Sequence, residues 1–176
     1  KALEAMGGKW NRGKGGHVFT TDPRPQVEGL LDSGVLEVER DGFFETPLEV
    51  VQRMVELVYP HGNVLEPSAG LGAIADHLPI LQDRVVCVEK NGDRVEVLRK
   101  KGYLVHWVDF MEYTPFKTKF DTIFMNPPFE NNQDIDHVRH AFDLLRVGGS
   151  LIAVMGEHAF FASDSKSVRF RHWKDL

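Results

Sequence analysis

From Phe43 onward, short apolar runs alternate with amphipathic stretches. Val64-Leu65, Val85 to Val88, Leu104 to Val108, Thr122 to Met125 and Leu151 to Met155 read as five strands, because brief apolar runs bounded by turn residues suit strands covered on both faces. Between them, apolar residues at helical spacing predict helices over about 71–78, 93–101 and 135–145, with a Gly148-Gly149 turn ahead of the fifth strand. Upstream, Leu48, Val51, Met54, Val55 and Val58 mark another helix, with Thr46 placed as its N-cap and Pro47 at its first position. Such alternation predicts an α/β fold, a parallel central sheet wrapped by helices on both faces.

The first 42 residues follow a different pattern. Gly7 to Phe19 is glycine-rich and basic with aromatic residues at its edges, which suggests a short hairpin or arm. After Asp22-Pro23-Arg24-Pro25 comes a helix-like stretch to about Leu31, and Val35 to Val38 alternates as a short strand does. The chain therefore divides into a basic N-terminal arm or small subdomain, 1–42, and a core, 43–176. Because the chain opens on Lys1 rather than Met, it is expected to be an excerpt of something longer.

Charge refines this division. The formal net charge of -5 argues against a generic nucleic-acid protein, yet the basic residues gather at the two ends around an acidic middle, which is compatible with local phosphate contacts. The single cysteine, Cys87, lies in an apolar run, which excludes an internal disulfide and makes it a small buried filler. No apolar run approaches the roughly 20 residues of a membrane span, and Lys1-Ala2-Leu3-Glu4 lacks a signal-peptide pattern, so a soluble cytoplasmic chain is expected.

In open parallel sheets ligands bind beyond the carboxyl ends of the strands, and four strand ends carry informative residues. Glu66-Pro67-Ser68-Ala69-Gly70-Leu71-Gly72 is a tight turn that lets backbone approach a ligand. The absence of a third glycine where Ile74 and Ala75 stand disfavours a pyrophosphate-bearing cofactor. Glu89, followed by Lys90, ends the second strand, where an acid can accept from both hydroxyls of a ribose. Asp109-Phe110 offers a carboxylate for an adenine amino group and a ring for its face.

The most specific element is Asn126-Pro127-Pro128-Phe129. Proline cannot donate to a sheet ladder and pushes the preceding residue to extended geometry, so this stretch leaves the sheet as a rigid loop. It presents two acceptors, the Asn126 side-chain oxygen and the Pro127 carbonyl, beside the flat face of Phe129. An exocyclic amine is a poor nucleophile because its lone pair is delocalised into the ring; two acceptors taking both N–H bonds would favour a more tetrahedral nitrogen. His137 and His140 lack the companions of a metal site, so no metal is expected, and Asp134 and Asp136 are expected to open the helix at Ile135.

Taken in order, Phe44-Glu45-Thr46-Pro47, Glu66 to Gly72, Glu89, Asp109-Phe110 and Asn126 to Phe129 resemble the motifs of amino-group DNA methyltransferases of the adenine-N6 type, in the gamma arrangement. The resemblance covers about 43–155 and implies a Rossmann-like class I fold, S-adenosylmethionine (SAM) as cofactor and adenine in DNA as target; because the family continues after the fifth strand with a further strand pair and a target-recognition region, it also implies a core that is C-terminally incomplete. It implies that Thr46 contacts the methionine carboxylate of the cofactor, that Ala69 and Gly70 line its methionine portion, and that Phe44, Glu66, Ser68, Lys90 and Asn126 are also among the cofactor-binding residues. Glu89 would then hold the ribose and Asp109 with Phe110 the cofactor adenine, while Asn126, Pro127 and Phe129 of the catalytic motif, which also includes Pro128, would hold the target base. Families that methylate ribosomal RNA or a protein glutamine also use Asn-Pro-Pro followed by an aromatic residue. A noncatalytic methyltransferase-like binding module is a further alternative.

Overall fold

The computed structural model describes residues 9–19, 24, 27, 43–116 and 118–175. The helix expected before Leu31 and the strand over 35–38 lie outside the described residues, apart from Arg24 and Val27, both helical. The chain divides into two units, Lys1–Asp41 and Gly42–Leu176. In the first, β1 (Lys9–Asn11) and β2 (Gly16–Val18) form an antiparallel hairpin, with Trp10 opposite His17.

The second unit is an α/β layer structure. In chain order it contains α1 (Leu48–Leu57), β3 (Val64–Glu66), β4 (Val85–Glu89), α2 (Gly92–Lys100), β5 (Leu104–Trp107), β6 (Phe120–Met125), α3 (Gln133–Leu144), β7 (Leu145–Ala153), α4 (His158–Phe161) and α5 (Ser165–Lys174). The five strands β3 to β7 form one parallel sheet in the order β5-β4-β3-β6-β7. The chain thus builds outward from β3 to β5, returns to the other side of β3, and builds outward again. Where the direction reverses, between β3 and β6, the loops leaving the strand ends diverge and open a crevice.

Each face of the sheet is covered by helices whose apolar stripes the spacing dictates. Val51 and Met54 of α1 and Leu98 of α2 pack with Val64, Val85, Cys87 and Phe124 on one face. Ile135, Val138, Ala141 and Leu144 of α3 and Phe170 of α5 pack with Leu65, Val88, Ile123 and Met125 on the other. Burying a side chain of this size contributes about 1.5–3 kcal/mol. Burial pushes the Cys87 thiol far above its ordinary range, in keeping with a filler role.

Two local expectations need correction. The helix over 71–78 is only a turn with a 3-10 segment at Ala75–His77. Gly70 and Gly72 take positive φ values, 55° and 92°, which no α-helix admits, and Pro79 ends the segment, with Leu78 already extended. The Gly148-Gly149 turn is a register irregularity inside β7, which begins at Leu145: Phe120 pairs with Leu145 and Thr122 with Ser150. The tail beyond Met155 carries two helices, the second N-capped by Asp164, whose carboxylate accepts from the Lys166 and Ser167 amides. Among the described residues no helix is long and apolar enough to cross a membrane.

Candidate active site

The crevice is built from three loops and the segment ahead of α1. After β3, the turn is stitched to the end of β4: Ala69 N–H donates to the Val88 carbonyl (3.1 Å) and Gly70 N–H to Glu89 Oε2 (2.8 Å). Glu89 also accepts at Oε1 from Asn91 N–H (2.8 Å) and from Arg94 Nη2 (3.1 Å). A carboxylate offers about four acceptor positions, so this buried group is held by three donors with room for one more. Over this turn lies Phe43. A Cβ added at Gly70 would stand 2.3 Å from its ring, and the Arg94 guanidinium lies 4.5 Å from the ring centroid. Phe44, singled out in the sequence, is 54% exposed.

Glu66 ends β3 fully within the protein, where Oε2 accepts from Ala75 N–H (2.9 Å). Burial drives its pKa well above the usual carboxylate range, helped by the nearby negative charges of Asp76 and Glu89 and opposed by the backbone N–H groups of Ala75 and Ile74. A cation brought beside it would permit ionisation. Ser68 is half-buried on the same turn and Ala69 is buried.

Beyond β4 and β5 stand Lys90, Asp109 and Phe110. The Lys90 carbonyl accepts from the Trp107 indole N–H (3.0 Å), which clamps the loop after Glu89. Asp109 Oδ1 caps the short turn that follows by accepting from Met111 N–H (2.9 Å). The Phe110 ring is buried, with the rings of His137 and His140 at centroid distances of 5.5 and 4.8 Å. Burial lowers the pKa of His137, against the pull of Asp109 and Asp136.

On the opposite wall, β6 delivers Asn126 beside Thr46. Thr46 does not cap α1, whose N-cap position is taken by Pro47. Its hydroxyl instead accepts from Asn126 Nδ2 at 3.1 Å. That bond turns the amide so that Asn126 Oδ1 is buried without a partner among the described residues. Pro127 is buried, Pro128 half-buried, and Phe129 is 40% exposed at the lip. The structure therefore places Glu66, Ser68, Ala69 and Gly70 at and after the end of β3, tied by Gly70 to Glu89 at the end of β4, and Asn126 after the neighbouring β6, tied to Thr46, with Lys90, Asp109 and Phe110 at the next strand ends. Phe43 and Arg94 were not singled out from the sequence; the one signal for Arg94 is its place in the first turn of α2, within reach of Glu89.

The parallel sheet, its strand order and the helices that cover it form a Rossmann-like fold of the kind found in class I methyltransferases. Similar solved structures include PH1948 from Pyrococcus horikoshii, a protein proposed to be an RNA methyltransferase, at 21% identity and TM-score 0.54, covering 74% of this chain and 68% of the other. TrmN from Thermus thermophilus, at 21% identity and TM-score 0.54, covers 72% of this chain but 42% of its own. The glycopeptide N-methyltransferase MtfA in complex with SAM, at 17% identity and TM-score 0.52, covers 72% and 63%. The chain thus spans less than two thirds of the latter two proteins. The model of the methyltransferase small domain matches residues 49–164, well over half of the chain, and the chain belongs to that family. No curated protein matches it in sequence.

Proposed function

We propose that this protein transfers a methyl group from SAM to the N6 amino group of adenine in DNA. One observation carries the reading: the Asn126 amide is oriented by Thr46, and its buried oxygen is left without a donor. A buried acceptor without a partner costs about 1–3 kcal/mol, so the site is built for a donor that arrives with a substrate.

The cofactor is SAM, which supplies, when bound, an electrophilic methyl group on a sulfonium. This chain's residues fit it. The Gly70 backbone leaves no room for a side chain, Glu66 is held toward its neutral form in want of a cation, and Glu89 keeps acceptor capacity. Glu66, Ser68, Ala69 and Gly70 would surround the methionine portion, Glu89 the ribose, and Lys90, Asp109 and Phe110 the adenine. Thr46 touches Asn126 directly and so couples the cofactor side of the crevice to the target side.

The target amine enters against Asn126 Oδ1 and the Pro127 carbonyl. Accepting both N–H bonds fixes its direction and offsets delocalisation of its lone pair into the ring. Neither group is a base, so the proton released on methylation passes to water. Phe129 stacks on the extruded base, which contributes about 1–3 kcal/mol against the few kcal/mol that flipping costs. The basic hairpin residues Lys9, Arg12 and Lys14 suit phosphate contacts.

The test is transfer of labelled methyl groups to unmethylated genomic DNA, ribosomal RNA and a release-factor-like protein, followed by nucleoside and peptide analysis. Label in N6-methyladenine of DNA is expected. Label confined to RNA or to protein glutamine would overturn the choice of substrate.

A further inference from the structure

Asp134 stands in the first turn of α3, as its sequence position suggests, and does more there than open the helix. It is wholly buried in the first turn of α3, where Oδ2 accepts from Gly156 N–H and Oδ1 meets His158 Nε2, both at 3.0 Å. Its partners lie just past β7, and His158 opens α4, whose Ala159 is buried in the core. The approach is close on every side: a Cβ at Gly156 would stand 2.5 Å from the His158 ring and 3.6 Å from Asp134 Oδ2.

These contacts matter because of what they bracket. At its start, the Asn126-Pro127-Pro128-Phe129 loop is tied to the strand beside it by Val154 N–H donating to the Met125 carbonyl (2.9 Å). At its end, the chain turns through Asn131 and Asn132, both at positive φ (52° and 57°), and enters α3 at Gln133. Within that turn Asn132 N–H donates to the Phe129 carbonyl at 3.3 Å and Gln133 N–H to the Glu130 carbonyl. Two non-glycine residues in left-handed geometry are strained and persist only where the surroundings hold them. The next residue but one is Asp134. The loop is thus pinned at both ends to one short segment, at Val154 and at Gly156 with His158, and the second pin is a carboxylate removed from water.

We propose that Asp134, clasped by Gly156 and His158, is the positioning residue that sets the Asn126–Phe129 loop for transfer. The clasp holds the strained turn closed, and through it the Pro127 carbonyl and the Phe129 ring in fixed relation to Asn126. Asp134 touches neither cofactor nor target. The kinetic part of the proposal rests on the methyltransferase reading above; the structural part does not.

The experiment compares wild type with Asp134→Asn, Asp134→Ala, His158→Gln and His158→Ala. Three quantities are read: backbone hydrogen exchange over 129–134, SAM affinity by calorimetry, and kcat and KM for methyl transfer to DNA. Loss of a hydrogen bond to a buried charge corresponds to about tenfold or more, so His158→Ala and Asp134→Ala should speed exchange in this segment and lower kcat by that factor. SAM affinity should stay within about twofold. His158→Gln keeps a donor and Asp134→Asn keeps an acceptor for Gly156, and both should recover most of the loss. Should Asp134→Ala fail to fold, His158→Ala, whose side chain is 27% exposed, carries the test. Exchange over 129–134 unchanged in His158→Ala, or accelerated equally throughout the molecule, overturns the proposal. If the wild type methylates no DNA, the substrate reading falls while the exchange measurement still decides the clasp.

Discussion

At the scale of single residues, the site depends on where one amide oxygen points. Asn126→Ala removes the orphan acceptor and the tie to Thr46 together. We expect kcat to fall by at least about a hundredfold, the size of effect found for one preorganised transition-state group, with SAM affinity by calorimetry held within about twofold. Glu66 makes a prediction of the opposite kind. Its folded-state pKa is raised, by burial first and by Asp76 and Glu89 next. Below the ordinary carboxylate pKa both folded and unfolded chains carry the proton and nothing is lost. As pH rises through that value the unfolded chain ionises first, and stability falls until the folded-state pKa is passed. Glu66→Gln should therefore raise Tm at neutral pH, with the advantage vanishing near pH 4, and should weaken SAM binding if Glu66 faces the cofactor's ammonium. Melting curves across pH check the first part and calorimetry the second. That Glu66, Glu89 and Asn126 stand at the ends of strands was legible from the sequence. The parts played by Phe43, Arg94 and Asp134 were not, because each acts through a partner distant in the chain: Gly70 for Phe43, the Phe43 ring for Arg94, and Gly156 and His158 for Asp134.

Among the elements, α2 has the plainest stop and start. The Asn91 side chain accepts from both Asp93 N–H (3.0 Å) and Arg94 N–H (3.2 Å), and Arg99 and Lys100 occupy the last turn. Asn91→Ala should cost about 1 kcal/mol in a urea titration. It should also loosen Arg94, whose guanidinium reaches back to Glu89, so a modest loss of SAM affinity should accompany it. The strands and the helices α1, α2 and α3 were legible because apolar periodicity is a local property. The segment after β3 was not: its apolar Leu71, Ile74 and Leu78 sit at helical spacing, yet the positive-φ glycines and the Glu66 carboxylate on Ala75 N–H shape it as a turn. The helix α5 was missed for the converse reason. Its apolar stripe is thin, and what specifies it is a cap at Asp164 and two Arg171 bonds, to the carbonyls of Ala159 (3.2 Å) and Ala162 (2.9 Å).

For the whole molecule, alternation of strand and helix foretold a parallel sheet but not its order. The order matters because β3 and β6 are neighbours in space although β4, α2 and β5 intervene between them in the chain. One half of the crevice therefore belongs to a run of local pairings, β3 with β4 and β4 with β5, and the other half arrives with β6, α3 and β7. Seen as a folding problem, the ligand crevice is a seam between an early and a late half, and distant pairings form slowly because loop closure precedes their reward. A refolding chain should regain much of its far-ultraviolet helix signal before it can retain cofactor. Stopped-flow refolding in the presence of labelled SAM should then show binding lagging behind secondary structure. A ligand held only by the closed seam would act as its latch, slowing unfolding in proportion to its occupancy.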